Sequence, residues 1–312
     1  MRRQQALWLL AGLTLFGAPW LLSPWGLSQL GFIAIYVIAG AGLMLLAGFA
    51  GQLSLCHAAF IGIGAYVEAL LQARGWPLEA SLPASALIAA LFGVLAAWPA
   101  RRLAGIYLAI ATLSFGFIVQ EVLARWEALT GGNAGMVVAS AHSVFVPTID
   151  ATQLVWLALA LALACLWGLG RLLHSSGGRA FVALRDDAVA AAILGVATAR
   201  VKMLAFALAA ALGGLAGALY AHQLRFISPE QFDWVMSVEL LMMLVIGGLG
   251  TRAGIVLGAV FLIALPQAIG LLRDLWPTAT PPAGFELCAF GLILVLTLRF
   301  APAGLAGWRR NL

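Results

Sequence analysis

Ser54 and His57 stand three residues apart, a spacing that on a helix would put a hydroxyl and an imidazole on one face, as a nucleophile and its base require. No acid follows at a spacing that would orient the histidine, so the pair reads as structural polar contact rather than as a hydrolase centre. Glu68, Glu121 and Glu239 are the acids within or at the ends of apolar runs. Ionisable groups at that depth would suit proton-coupled transport. Glu68 and Glu121 are expected near a membrane interface, with their carboxylates reaching water, while Glu239 is balanced between interface and interior. Cys56, Cys165 and Cys288 form no CxxC pair, and His57, His142, His174 and His222 are scattered, so no metal-ligand set is expected.

The elements that must position these groups are apolar helices. Of 312 residues, 63% are hydrophobic and 9% are charged, whereas a soluble domain carries about a quarter charged residues. Long apolar runs without strand-like alternation indicate an all-α polytopic membrane protein, because the lipid-facing backbone must satisfy its own hydrogen bonds. About ten crossings are expected at roughly twenty residues each. They begin with a retained first span ending near Leu22 and continue at about 27–49, 51–71, 82–100, 105–123, 152–173, 203–222, 237–249, 253–272 and 285–298. Gly105, Ala109, Thr112 and Gly116 give the 105–123 span a small-residue face for packing. The 237–249 run is short. It reads either as one of two helices meeting at a tight turn near Arg252 or as a broken, re-entrant helix.

One interruption is different. Residues 174–202, HSSGGRAFVALRDDAVAAAILGVATARVK, carry clustered charge and a helical stripe of Phe181, Leu184, Ala188, Ala191 and Ala192, with Gly195 at a helix stop. This is an amphipathic helix over 179–194, too polar to span. Its alanine-rich face suits docking into a protein groove better than insertion into lipid. Of the 17 cations, Arg74, Arg125, Arg225 and Arg273 fall on one side of the ten-span map and the others, including Arg171, Arg179, Arg200 and Lys202, on the opposite side. The positive-inside rule makes that richer side, and both termini, cytoplasmic. The net charge of +5 resides in these short loops, so nucleic acid is not an expected partner.

The chain resembles the LivM-type permeases of branched-chain amino acid ABC importers. The resemblance rests on GLMLLAGFAGQLSLCHAAFIGIGAY (42–66), GIYLAIATLSFGFI (105–118), LTGGNAGM (129–136), GRAFVALRDDAVAAAILGV (178–196), LGGLAGALYA (212–221), FISPEQF (226–232) and SVELLMMLVIGGLGTRAGIVLGA (237–259). Cys56, where the family usually has glycine, and Asn133-Ala134 depart from the pattern. The resemblance implies a single permease domain over 1–312 in a bacterial cytoplasmic (inner) membrane. It also implies a second homologous permease subunit, two cytoplasmic ATP-binding subunits and a periplasmic substrate-binding protein as partners. This chain would bind no cofactor, and ATP would be used by the partner subunits. Arg185, Asp186, Asp187, Ala190, Ala191 and Gly195 occupy the positions of the family's ATPase-coupling helix. Gln52, Ser54, His57, Thr112 and Glu239 are the expected lining of the substrate pathway. A urea or short-chain amide importer shares these motifs, and a proton-coupled secondary transporter is the reading from another class.

Overall fold

The computed structural model describes residues 23–101, 103–144, 148–275, 285–300 and 304–308. The first expected span, up to Leu22, and the tail cations Arg309 and Arg310 lie outside the described residues. Helix α1, Pro24–Leu43, starts where the Ser23 hydroxyl accepts a hydrogen bond from the Gly26 amide and Pro24 supplies a preset backbone angle. It continues as a π-helical turn, Met44–Phe49. Then follow α2 (His57–Ala73), α3 (Leu78–Ala100), α4 (Ile106–Arg125) and α5 (Ala151–His174). A capping box between Asp150 and Gln153 starts α5. After α6 (Ser176–Asp186) and α7 (Ala188–Ile193) come α8 (Thr198–Leu224), α9 (Trp234–Gly247), α10 (Arg252–Leu275), α11 (Phe285–Phe300) and α12 (Gly304–Trp308).

Six segments among the described residues are long and apolar enough to cross a membrane: Pro24–Phe49, Leu78–Pro99, Gly105–Arg125, Ala151–His174, Thr198–Leu224 and Arg252–Gly270. Helices α2 and α9, with 17 and 14 residues, are shorter than the roughly twenty that a bilayer requires. Each is preceded by a partly buried stretch without α-helix, residues 50–56 before α2 and, with a 3-10 turn at Pro229–Phe232, residues 225–233 before α9. The 237–272 stretch forms two antiparallel helices. Gly247 lies on the Gly254 carbonyl and Gly258 on the Met243 carbonyl, across a turn at Gly248–Thr251.

Helix α8 is the centre of the bundle, packed on α1, α2 and α3. Its glycines permit this. Gly217 lies on the Ile61 carbonyl and Gly214 on the Ala89 side chain, while Gly64 of α2 lies on the Gly214 carbonyl. The closeness of backbone to backbone is the packing mode that small residues allow in membranes, where burial away from water supplies little driving force between helices.

The two ends of the bundle differ in charge. One end gathers the π-helical turn, α6, α7, the Gly248–Thr251 turn and α12, joined by the Gly250 amide on Met44 Sδ and by Gly304 against Gly248. Arg101, Arg171, Arg179, Arg185, Arg200, Lys202, Arg252 and Arg299 belong to this end. The other end holds Arg74, Arg125 and Arg225, and a two-stranded antiparallel ribbon in which Met136 pairs with Ile227 and Val137 with Phe226. That ribbon forms within what reads in sequence as a plain polar loop. Glu79 there accepts a hydrogen bond from Ser143, and the Leu78 amide donates to the His142 carbonyl.

The segment expected as one helix over 179–194 is two. The backbone at Asp187 is extended (φ −158°, ψ 108°), and its carboxylate accepts hydrogen bonds from the Val189 and Ala190 amides at 2.8 and 3.0 Å. Asp187 therefore ends α6 and caps α7. Gly195 is the stop: it adopts φ +86°, its amide donates to the Ala192 carbonyl, and the Val196 amide donates to the Ala191 carbonyl, a Schellman arrangement.

Candidate functional site

The polar residues at the Arg185 end converge on the connection between α1 and α2. The π-turn sends the chain back with the Ala50 amide donating to the Leu45 carbonyl and the Gln52 amide to the Leu46 carbonyl. Ser54, Cys56 and His57 are fully buried, and Gln52 nearly so. Irregular backbone at such depth needs partners from elsewhere in the protein. Thr112 of α4 supplies one, its Oγ1 accepting from the Leu55 amide at 3.1 Å while donating to the Ala109 carbonyl. Ser237 of α9 supplies the other, its Oγ accepting from the Ala58 amide at 3.0 Å and so capping the start of α2. His57 Nε2 donates to the Ala39 carbonyl of α1 at 3.0 Å. The Ser54 hydroxyl lies 3.3 Å from Cys56 Sγ rather than on His57. Serine and histidine are thus held by different neighbours, which removes the nucleophile–base geometry.

Four of the five expected pathway residues, Gln52, Ser54, His57 and Thr112, belong to this cluster. Gln52 Oε1 and His57 Nδ1 are buried without a hydrogen-bond partner among the described residues. Glu239 is elsewhere, half-buried on α9 within electrostatic reach of Tyr36 and Tyr220. The packing face expected on α4 is realised in part: Gly116 lies beside Cys56, but Gly105 is exposed, adopts φ +59°, and a Cβ there would meet nothing within 4 Å.

Helices α6 and α7 lie next to the cluster. Phe181, Leu184 and Ala191 face inward and are buried. The Arg185 guanidinium donates to the Gly48 carbonyl of the π-turn at 3.2 Å and to Asp186 Oδ1 at 2.9 and 3.0 Å. Gly51, at φ +65°, lies against the Arg185 stem so closely that a Cβ would come within 2.7 Å of Arg185 Cγ. Of the expected docking residues, Arg185, Asp186, Asp187, Ala190 and Gly195 are exposed and Ala191 is not. The outward apolar row is instead Val189, Ile193 and Leu194, at 71%, 81% and 83% exposure. These three lie off the stripe read from the sequence, of which Ala188 and Ala192 are exposed and Ala191 is buried.

At the opposite end a second cluster corrects an expectation. Glu68 does not reach an interface: it is 0% exposed. Its Oε1 accepts from Ser81 Oγ at 2.6 Å, His222 Nε2 at 2.9 Å and Gln72 Nε2 at 3.1 Å, and its Oε2 accepts from Ser85 Oγ at 3.1 Å. The carboxylate joins α2, α3 and α8, and four donors offset its removal from water. His222 borders a cavity of about 60 Å³ also lined by Ala141, Leu154, Gln223 and Arg225. Glu121, by contrast, is exposed and paired with Arg125, as expected for an interface. It borders a cavity of about 650 Å³ with Glu127, Asn133 and Glu230.

A bundle of membrane-length apolar helices, with an irregular polar connection buried toward one end and a charged helical pair beside it, defines a multi-pass membrane protein. Comparison with known proteins gives the family. The profile described as "Branched-chain amino acid transport system / permease component" matches residues 27–298, and the chain belongs to that family. It is 33% identical to the high-affinity branched-chain amino acid transport system permease protein LivM of Salmonella typhimurium strain LT2, across 97% of this chain and 75% of that protein. The LivM of Escherichia coli K12 matches with the same identity and coverage. The autoinducer 2 import system permease protein LsrC of Salmonella typhi is 31% identical over 70% of this chain and 60% of its own length. No solved structure matches the chain.

Proposed function

We propose that this chain is the permease subunit of an ATP-driven importer for leucine, isoleucine and valine, folded as one domain of about ten spans. The observation that carries the substrate class is the match to LivM along 97% of the chain, against 70% for the autoinducer 2 permease. The cation-rich end is cytoplasmic by the positive-inside rule, and both termini lie there. The protein works in the bacterial inner membrane with a second homologous permease, two ATP-hydrolysing subunits and a periplasmic binding protein. This chain itself binds no cofactor. The pathway passes the buried polar connection, with Gln52, Ser54, His57, Thr112 and Glu239 toward the substrate.

Helices α6 and α7 are the coupling element. In support, Val189, Ile193 and Leu194 present an apolar row beside the charges of Arg185, Asp186 and Asp187, on a segment outside the membrane-length helices. Such a row fits a hydrophobic groove on a partner. Asp187 also caps α7, so reversing its charge disturbs local folding as well as docking. Ile193→Asp with Leu194→Asp is the cleaner probe. This pair of changes is expected to lower co-purification of the ATPase subunits at least tenfold while the permease reaches the membrane at normal abundance. Unchanged co-purification would remove α7 as the docking surface.

A further inference from the structure

We infer that residues 44–56, the π-turn and the connection that follows it, form a movable plug, and that Arg185 transmits the displacement of α6 to it. The inference rests on the coupling role proposed for α6 and α7, and adds the part that moves and the contacts that move it.

Four observations place the moving part. First, α1 changes from α- to π-helical geometry at Met44 and stays so to Phe49. A π-turn holds an additional residue, is rare, and occurs often at functional sites. Its return to α geometry shifts the chain beyond it by one residue, about 1.5 Å along the axis and about 100° around it. That rotation would carry the Gly48 carbonyl and everything as far as Cys56. Secondly, the plug is tied to α6 by two contacts. Arg185 donates to the Gly48 carbonyl, and Gly51 sits on the Arg185 stem without space for a side chain. Arg185 is itself fixed to Asp186 by two hydrogen bonds. A push or pull on α6 therefore acts on both sides of the Phe49–Ala50 link.

Thirdly, on its far side the plug takes a hydrogen bond from another helix, Thr112 Oγ1 of α4 accepting from the Leu55 amide. Fourthly, Gln52 Oε1 and His57 Nδ1 are buried and unpartnered in this arrangement. Buried acceptors without donors disfavour the state that contains them. Displacement of the plug that brings them to water or to a substrate ammonium group offsets the hydrogen bond lost at Thr112. The plug is thereby poised between two positions, as a gate must be.

Cys56 is a native reporter, because it lies in the plug and is fully buried. In the assembled importer carrying Cys165→Ser and Cys288→Ser, inside-out vesicles would be exposed to a small membrane-impermeant methanethiosulfonate cation. The rate of Cys56 modification would be compared without nucleotide and with a non-hydrolysable ATP analogue. The plug predicts rates that differ at least tenfold between the two states. Arg185→Gln, and independently Gly51→Ala, should reduce that ratio to below about twofold. Equal rates in both nucleotide states overturn the inference, as does a tenfold ratio that survives both substitutions. ATP-driven release of leucine, preloaded with the binding protein in the lumen, is measured on the same vesicles, since inside-out orientation reverses the direction in which an importer fills or empties them. Its loss from the parent protein would count against the proposed importer role, and its presence with an unresponsive Cys56 against the plug alone.

Discussion

Replacing Gly217 by alanine is expected to cost about 3 kcal/mol of stability, the upper part of the usual range for overpacking. An added Cβ would meet the Ile61 carbonyl and the Ala65 amide of α2. Both neighbours are backbone within a helix, so no rotamer change can give way. The two helices must separate, and with them the Gly64–Gly214 contact on the same face. Gly168 of α5 is the matched comparison. Nothing lies within 4 Å of a Cβ there, so Gly168→Ala should be neutral or stabilise by about 0.5–1 kcal/mol, as alanine in place of glycine does within a helix. Thermal unfolding in detergent should show a lowered midpoint for Gly217→Ala and an unchanged or raised one for Gly168→Ala. Equal midpoints would mean that α2 and α8 are not packed backbone to backbone.

The second large effect belongs to Glu68 and His222. Removing one partner of a buried hydrogen bond leaves the other polar group unsatisfied, at a cost of about 1–3 kcal/mol. His222→Leu leaves the Glu68 carboxylate with Ser81, Ser85 and Gln72 as donors but without its imidazole. Glu68→Leu leaves three donors and the imidazole without their common acceptor. The double substitution replaces the pair by apolar side chains, and should be less destabilising than the sum of the single ones by at least about 1 kcal/mol, since the residues touch. A thermal-denaturation cycle over the four proteins would show this coupling. Strict additivity would contradict the 2.9 Å contact between Glu68 Oε1 and His222 Nε2.

Residues close in sequence spoke clearly. A chain with 63% apolar residues and long uninterrupted runs has to be a helical membrane protein, and Gly195 could be recognised as a helix stop because a left-handed residue after an apolar stripe favours glycine. The charge cluster at 174–202 marked the segment that is too polar to cross. What stayed hidden depends on distant partners. Glu68 reads as an interfacial acid until α8 brings His222 across 154 positions, although Glu68–Gln72 and Ser81–Ser85, each four apart, were a sign of two facing polar stripes. Ser237 caps α2 across 179 positions, and no local pattern foretells it. Asp187 was ambiguous for another reason. An aspartate can continue a helix or cap the next one, and here it caps; on the short helix that follows only Ala191 of the alanine stripe is buried, while Val189, Ile193 and Leu194 are exposed.

The central claim is that this permease admits branched-chain amino acids under the drive of ATP. Its most direct test is uptake of radiolabelled leucine by the assembled importer in proteoliposomes, with its binding protein on the outer, donor side and ATP enclosed with the ATPase subunits in the lumen. Uptake that requires ATP, is competed by isoleucine and valine and ignores an excess of urea is the predicted result. Uptake of urea in place of leucine, or leucine uptake by this chain alone under a pH gradient without ATPase subunits, would contradict it.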